Sequence, residues 1–330
     1  MGRHVAGEAP EMDALVDEAI RGIGAEIDAL RVPRLRGVVL GGGYGRGEGG
    51  VFVLPDGSTR LSNDLDFYVV AEDGATGADL AAIGEVLAPV SERWTARLGV
   101  DADFCPAKTT GRLHHDQERL MVQELVHGYF DVAGAKGETL FACVERRDPS
   151  AFPWMEAARL LMNRGIGLLL ALEAARESGG ARPLAVHSPA SRGFITRNIN
   201  KCILGAGDAR LIAQGRYAWR IGDRAGALGD PLYRAAADWK FRPRDEAVCT
   251  WEEARTVWLE ALDAVNGARG ARPSRNLFNA ARWIARRRTL GAISTFGLDP
   301  VERVLRRVRD HIASRTPITP SLRRDWEIFN

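Results

Sequence analysis

Two stretches decide how the N-terminal half folds: Gly41-Gly42-Gly43-Tyr44-Gly45-Arg46-Gly47-Glu48, and Asn63-Asp64-Leu65-Asp66-Phe67. The first follows Gly37-Val38-Val39-Leu40, a short apolar run that reads as a buried strand. Glycines in such a turn let backbone N–H groups approach a phosphate, and a strand-to-helix turn adds the partial charge of a helix terminus. Arg46 adds a cation to the same loop. The second stretch opens an apolar run, Leu65 to Val70, that reads as another strand. Residues two apart on a strand face the same side, with Cα atoms about 6.5 Å apart. Asp64 and Asp66 would therefore repel unless a cation sat between them. Hard divalent ions such as Mg²⁺ take oxygen ligands of this kind.

Further strands and helices extend outward from these two stretches. Met12 to Leu30 carries an apolar helical stripe, ended by Pro33. Val51 to Leu54, a Pro55-Asp56-Gly57 turn and Ser58 to Leu61 read as a hairpin. Ala78 to Leu98 reads as a helix. Gly99 to Pro106 reads as a third strand, with Val100, Ala102 and Phe104 on one face and Asp101, Asp103 and Cys105 on the other. Either Asp101 or Asp103 offers a third carboxylate. Three carboxylates from two strands can hold two ions roughly 3.5–4 Å apart, the spacing used for in-line phosphoryl displacement.

Beyond about residue 150 the pattern turns helical, over Trp154–Ala175, Thr196–Gln214, Trp251–Val265, Asn276–Arg288 and Pro300–Ile312. The expected fold class is α/β (α+β). A small mixed-sheet domain over residues 1–148 precedes an α-helical domain over residues 149–330.

Each motif alone has a plainer reading. Asp-x-Asp occurs in ordinary turns and caps. Gly45-x-Gly47-x-x-Gly50 matches dinucleotide and kinase glycine patterns. The dinucleotide reading wants a helix straight after the glycines, where a hairpin is expected instead. The kinase reading wants a strand lysine and a His-Arg-Asp loop, but the first lysine is Lys108 and no such tripeptide occurs.

The order of motifs is more specific. Gly42-Gly43 with the downstream Arg46-Gly47, then Asn63-Asp64-Leu65-Asp66-Phe67, then Val100-Asp101-Ala102-Asp103-Phe104-Cys105-Pro106, resembles the polymerase-β nucleotidyltransferase superfamily. The resemblance covers about residues 37 to 106. It departs from the usual pattern in a longer segment between Gly43 and Asp64, where the hairpin is inserted. It implies a small mixed sheet, Mg²⁺ as cofactor (two ions) and ATP or another nucleoside triphosphate as donor. It also implies Asp64 and Asp66 as metal ligands with catalytic roles. Asp101, the first acid of its strand, becomes the third ligand, and Asp103 shares its face. Gly42, Gly43 and Arg46 would hold the phosphates.

In the helical half, Asn200-Lys201 with Gly205, Asp208, Leu211 and Tyr217 is similar to a helix of the kanamycin-nucleotidyltransferase-like group. That likeness gives Lys201 a contact to the triphosphate tail. The plainer reading is a surface lysine paired with Asp208. Asn163 and Arg164 read as a buried polar pair. The tryptophans read as core. His114 and His115 lack further metal ligands at suitable spacing. Glu48 and Glu124 are alternative general bases.

Composition narrows the partners. The chain carries 45 Lys+Arg against 43 Asp+Glu, a balance that argues against a nucleic-acid partner. Locally basic runs, Arg286 to Arg288 and Arg303 to Arg309, read as solvated helix faces. The four cysteines form no C-x-x-C pair and read as buried free thiols in a reducing compartment. No stretch reads as a signal peptide or a membrane span, so a cytoplasmic location is expected. The expected function is transfer of a nucleoside monophosphate, AMP from ATP, to a hydroxyl of a small molecule or protein, with release of pyrophosphate. The alternatives are a toxin–antitoxin component or a catalytically silent nucleotide-binding regulator on the same fold.

Overall fold

A computed structural model describes residues 2–177, 189–268 and 300–328. The chain forms two compact units, Met1–Asp148 with Asp238–Arg244, and Pro149–Ala237 with Asp245–Asn330.

In the first unit α1 (Pro10–Leu30) leads to β1 (Leu35–Leu40) and a single helical turn, α2 (Gly42–Gly45). The hairpin β2 (Val51–Val53) and β3 (Thr59–Leu61) follows, then β4 (Leu65–Ala71) and α3 (Gly77–Leu98). Next come β5 (Ala102–Phe104), β6 (Lys108–Thr109), α4 (Thr110–His115), α5 (Leu120–His127), β7 (Phe130–Gly134) and α6 (Gly137–Leu140). The main sheet runs in the order β5-β4-β1-β7, with β6 also paired to β4. β1 is antiparallel to β4 and β7, while β5 and β6 run parallel to β4, so the sheet is mixed.

The expected third strand is shorter than Gly99 to Pro106. Gly99 is taken up as the left-handed cap of α3, at φ 69°. Pro106 brings no N–H to a ladder, and pairing resumes at Lys108. β7 is a strand that periodicity did not reveal. Its five residues sit between glycines, and its place is fixed by the antiparallel pairing of Leu40 with Phe130 and Gly37 with Gly134.

Period-two alternation divides the sheet's side chains. Leu40, Leu65, Phe67, Val69 and Ala102 face one core with Ile23 and Ile27 of α1 and Ile83, Leu87 and Trp94 of α3. Val39 and Val70 face a second core with Leu113, Val122 and Leu125. β4 is therefore half-polar rather than uniformly buried, and Asp66 and Tyr68 belong to the second face. α3 starts on a capping box between Thr76 and Asp79.

Asp238–Arg244 belongs with the first unit although it lies beyond residue 148. Its Lys240 ammonium stands 3.9 Å from the buried Glu48 carboxylate, an attraction that reading along the chain could not reveal.

The second unit contains α7 (Trp154–Glu177), α8 (Pro189–Ala213), α9 (Ile221–Leu228), α10 (Pro231–Phe241, whose end joins the first unit), α11 (Trp251–Ala268), α12 (Pro300–Ser314) and α13 (Pro320–Glu327). The helix expected over Asn276–Arg288 lies outside the described residues. α7 packs along α8, α11 and α12. Trp258 is fully buried, and its Nε1 donates to the Leu161 carbonyl at 2.9 Å. Of the four free cysteines, only Cys202 is fully buried and Cys143 is exposed. Among the described residues no helix is long and apolar enough to cross a membrane.

Trp258→Ala removes a large buried side chain and leaves the Leu161 carbonyl without its donor. Urea denaturation should show a loss of about 3–5 kcal/mol. A loss under about 1 kcal/mol would mean that the indole does not support the core.

Candidate active site

β1 ends at Leu40, and the chain turns at once across the adjacent strand. The Gly41 N–H donates to the Asp66 carbonyl at 2.9 Å, and the Gly45 N–H donates to the Gly41 carbonyl at 2.8 Å. Gly42 sits at φ 63°, and a Cβ there would lie 2.0 Å from Oδ2 of Asp66. Glycine is thus required twice, by backbone conformation and by the carboxylate beside it. The helix that follows is a single turn, so its macrodipole is far smaller than the strand-to-helix reading assumed.

Tyr44 anchors this turn. Its buried hydroxyl donates to the Gly50 carbonyl at 2.8 Å and accepts from the Ser62 N–H at 3.1 Å and the Asn63 N–H at 3.4 Å. Burial raises its pKa, so the phenol stays protonated and can donate. One side chain from the glycine run therefore fixes the two residues ahead of Asp64. Only the glycines and Arg46 in this run carried a recognisable signal, so sequence reasoning missed Tyr44.

The N-terminal segment reinforces the turn. Ala6 N–H donates to the Gly49 carbonyl at 2.9 Å, and Gly49 N–H donates to the His4 carbonyl at 3.0 Å. The Asp13 carboxylate accepts from the backbone N–H groups of Arg3, His4 and Val5.

The acidic residues share one sheet face. Asp66 is the register partner of Asp103 across the parallel β4–β5 pair, so their Cα atoms are about 4.8 Å apart. Asp64 and Asp101 lie just ahead of these strands, joined there by the bond from the Leu65 N–H to the Asp101 carbonyl at 2.8 Å. Asp64 and Asp66 are half-buried, while Asp101 and Asp103 are exposed. Partial desolvation against the sheet, with added repulsion from Asp64 and Asp101, holds Asp103 above the usual carboxylate range although the residue as a whole is exposed. Burial, with Asp66 and Asp103, pushes the Cys105 thiol up to about 12. Burial and Asp66 also raise Tyr68. The register gives Asp103 the closer relation to Asp66, and Asp101 stays exposed at the strand entrance.

An all-carboxylate donor set suits a hard divalent cation, and the mutual repulsion of Asp64, Asp101 and Asp103 is what such an ion relieves. Even so, among the described residues no group of three or more His, Cys, Asp and Glu side chains forms a metal-ligand cluster. Asp64 and Asp101 lie just ahead of the regular strands β4 and β5.

Arg46 is placed differently from a free phosphate ligand. Its guanidinium lies 3.6 Å from Glu48 and 3.5 Å from Glu124. Glu48 is 2% exposed and also faces Lys240. Both alternative general bases are thus held in ion pairs. A Cβ added at Gly43 would come no closer than 3.4 Å to a neighbour, the Glu48 carbonyl oxygen, so no close approach requires glycine there.

Lys201 is half-buried on α8 of the second unit. Asp208 there is engaged by the Tyr233 hydroxyl at 2.6 Å and by Arg224 Nε at 3.0 Å. The Asn163 carbonyl oxygen accepts from Trp326 Nε1 at 2.7 Å, and Asn200 accepts from the Val248 N–H at 2.9 Å. The first ties α7 to α13, and the second ties α8 to the segment ahead of α11. His114 and His115 close α4, and their Nδ1 atoms contact the Cys143 carbonyl and Asp116.

No protein-family model matches the chain, and no curated protein matches it.

Gly42→Ala should lose at least about 1 kcal/mol more stability than Gly57→Ala. Gly57 also has a positive φ, 83°, but nothing within 4 Å of the added Cβ. Equal losses on denaturation would remove the case for close approach to Asp66.

Proposed function

We propose that the chain is a Mg²⁺-dependent nucleotidyltransferase that moves a nucleoside monophosphate, AMP from ATP, to a hydroxyl of a small molecule or protein. The observation that carries this reading is the placement of Asp66 beside Asp103 in the β4–β5 register, directly against the Gly42 backbone. Asp64 and Asp101 stand at the entrance to the same pair of strands.

Asp64, Asp66 and Asp103, with Asp101 at the rim, would hold the ions. Bound Mg²⁺ would supply charge neutralisation at the phosphates and at the attacking and leaving oxygens. The glycine turn lets phosphate oxygens approach its backbone without side-chain obstruction. The acceptor hydroxyl oxygen forms a bond to the α-phosphorus, and the bond from that phosphorus to the bridging oxygen breaks. Pyrophosphate leaves with that electron pair. The hydroxyl proton passes to a carboxylate, and Asp103 is the group whose surroundings favour taking a proton. Arg46, paired with Glu48 and Glu124, braces the turn.

Incubation with α-labelled nucleoside triphosphates, Mg²⁺ and cell extract should label an acceptor. The double variant Asp64→Ala, Asp66→Ala should reduce labelling to background. Undiminished labelling in that variant would overturn the assignment.

A second test uses pH. A folded-state pKa raised above the unfolded value contributes stability below the unfolded pKa, and that stability is lost as pH rises through the folded value. Asp103 shows a shift of this sign. Mg²⁺ should offset the loss, so the rise in melting temperature on adding Mg²⁺ should be larger near about pH 7.5 than near about pH 4. Asp103→Asn should flatten that difference, and a Mg²⁺ effect independent of pH would count against a carboxylate site.

A further inference from the structure

We propose that the cleft between α3 and the free edge of β5 binds a neutral small molecule, a flat ring compound whose amide-type edge pairs with the backbone of Phe104. The cleft measures about 570 Å³, within the roughly 300–1,000 Å³ range of small-molecule sites. Its floor is apolar and includes Val69, Ile83, Leu87 and Phe104, with the Phe104 ring stacked on Phe67 at 5.0 Å. On the α3 side Gly84 and Ala88 are exposed and short, and a Cβ added at Gly84 would meet nothing within 4 Å. All of these residues belong to the first unit.

β5 is the last strand of the sheet. It bonds β4 through alternate residues: the Asp101 carbonyl accepts from the Leu65 N–H, and the Cys105 N–H donates to the Phe67 carbonyl at 2.9 Å. Ala102 and Phe104 therefore turn their backbone groups outward. At Ala102, α3 answers both. Thr95 Oγ1 accepts from the Ala102 N–H at 2.9 Å, and Ser91 Oγ donates to its carbonyl at 2.7 Å. The next turns of α3 toward Phe104 bring Ala88, Leu87 and Gly84, whose side chains have no donor or acceptor. One N–H and one carbonyl thus open into an apolar cleft, where a hydrogen bond is stronger than in water. Pro106 has no N–H, so an added peptide strand could not continue beyond this one residue. That favours a small molecule over a peptide. Charge selects a neutral one. Among the described residues no Lys, Arg or His lines the cleft. Asp103 shares the register of Asp66 and turns its side chain to the opposite sheet face. The Cys105 thiol, pushed up to about 12 by burial, stays protonated. A carboxylate or phosphate entering here would lose hydration and meet no cation. An amide edge instead gives an acceptor to the Phe104 N–H and a donor to its carbonyl. The site does not depend on nucleotidyl transfer.

The test is an NMR titration of the full chain with naphthamide and, separately, with naphthoate, which has the same ring but an anionic edge. The amide should bind saturably, and the carboxylate about tenfold more weakly or worse. With isotope-labelled phenylalanine, the Phe104 amide resonance, identified by its loss in Phe104→Leu, should shift as naphthamide is added. Gly84→Trp should fill the cleft and weaken naphthamide binding about tenfold or more. Ala88→Trp gives a second reading if Gly84→Trp does not fold. Asp64→Asn with Asp66→Asn should leave naphthamide binding intact, which separates this site from the metal site. No saturable binding, equal affinity for naphthoate, an unmoved Phe104 amide, or wild-type affinity in both Gly84→Trp and Ala88→Trp overturns the proposal.

Discussion

The Gly41 N–H donates to the Asp66 carbonyl, and the next residue passes so close to the Asp66 carboxylate that no Cβ fits between them. This contact joins the end of β1 to the start of β4. It brings the glycine turn against the acidic residues, and it depends on a backbone conformation that glycine adopts at little cost. Tyr44 then ties the turn to Ser62 and Asn63, so the approach to Asp64 is fixed from the same side. The hairpin β2–β3 lengthens the connection without loosening it, because both of its ends meet at the Tyr44 hydroxyl.

Around this contact the sheet separates two kinds of environment. One face is closed by α1 and α3 and is apolar. The other is covered by α4, α5 and α6 over only part of its area, and its remaining positions carry the charged groups. Acids gather at the N-terminal end of β4, beside β5. These like charges stand close together, which is unfavourable without counterions.

The second unit uses its buried polar groups for structure. Arg224 is 3% exposed and binds the hydroxyls of Tyr217 and Tyr233, as well as Asp208. Trp258 and Trp251 each donate to a carbonyl of α7. In an interior of low dielectric such satisfied networks fix one arrangement of helices. Asp208 belongs to such a network, and the Asn163 side-chain oxygen accepts from Trp326 Nε1.

The sequence by itself determined the elements with a clear period or punctuation. These are α1, β1, the β2–β3 hairpin, β4, α3, and the alternation that sets Asp101 and Asp103 opposite Ala102. Each rests on neighbours within a few positions, which is the range that periodicity and turn chemistry describe. Only the tertiary structure decided which acid stands beside Asp66, because register depends on how two strands distant along the chain pair. It alone turned Arg46 to Glu48 and Glu124, added β7 to the sheet and brought residues 238–244 to the first unit. Those outcomes come from packing and charge between segments far apart in sequence, and no local pattern records them.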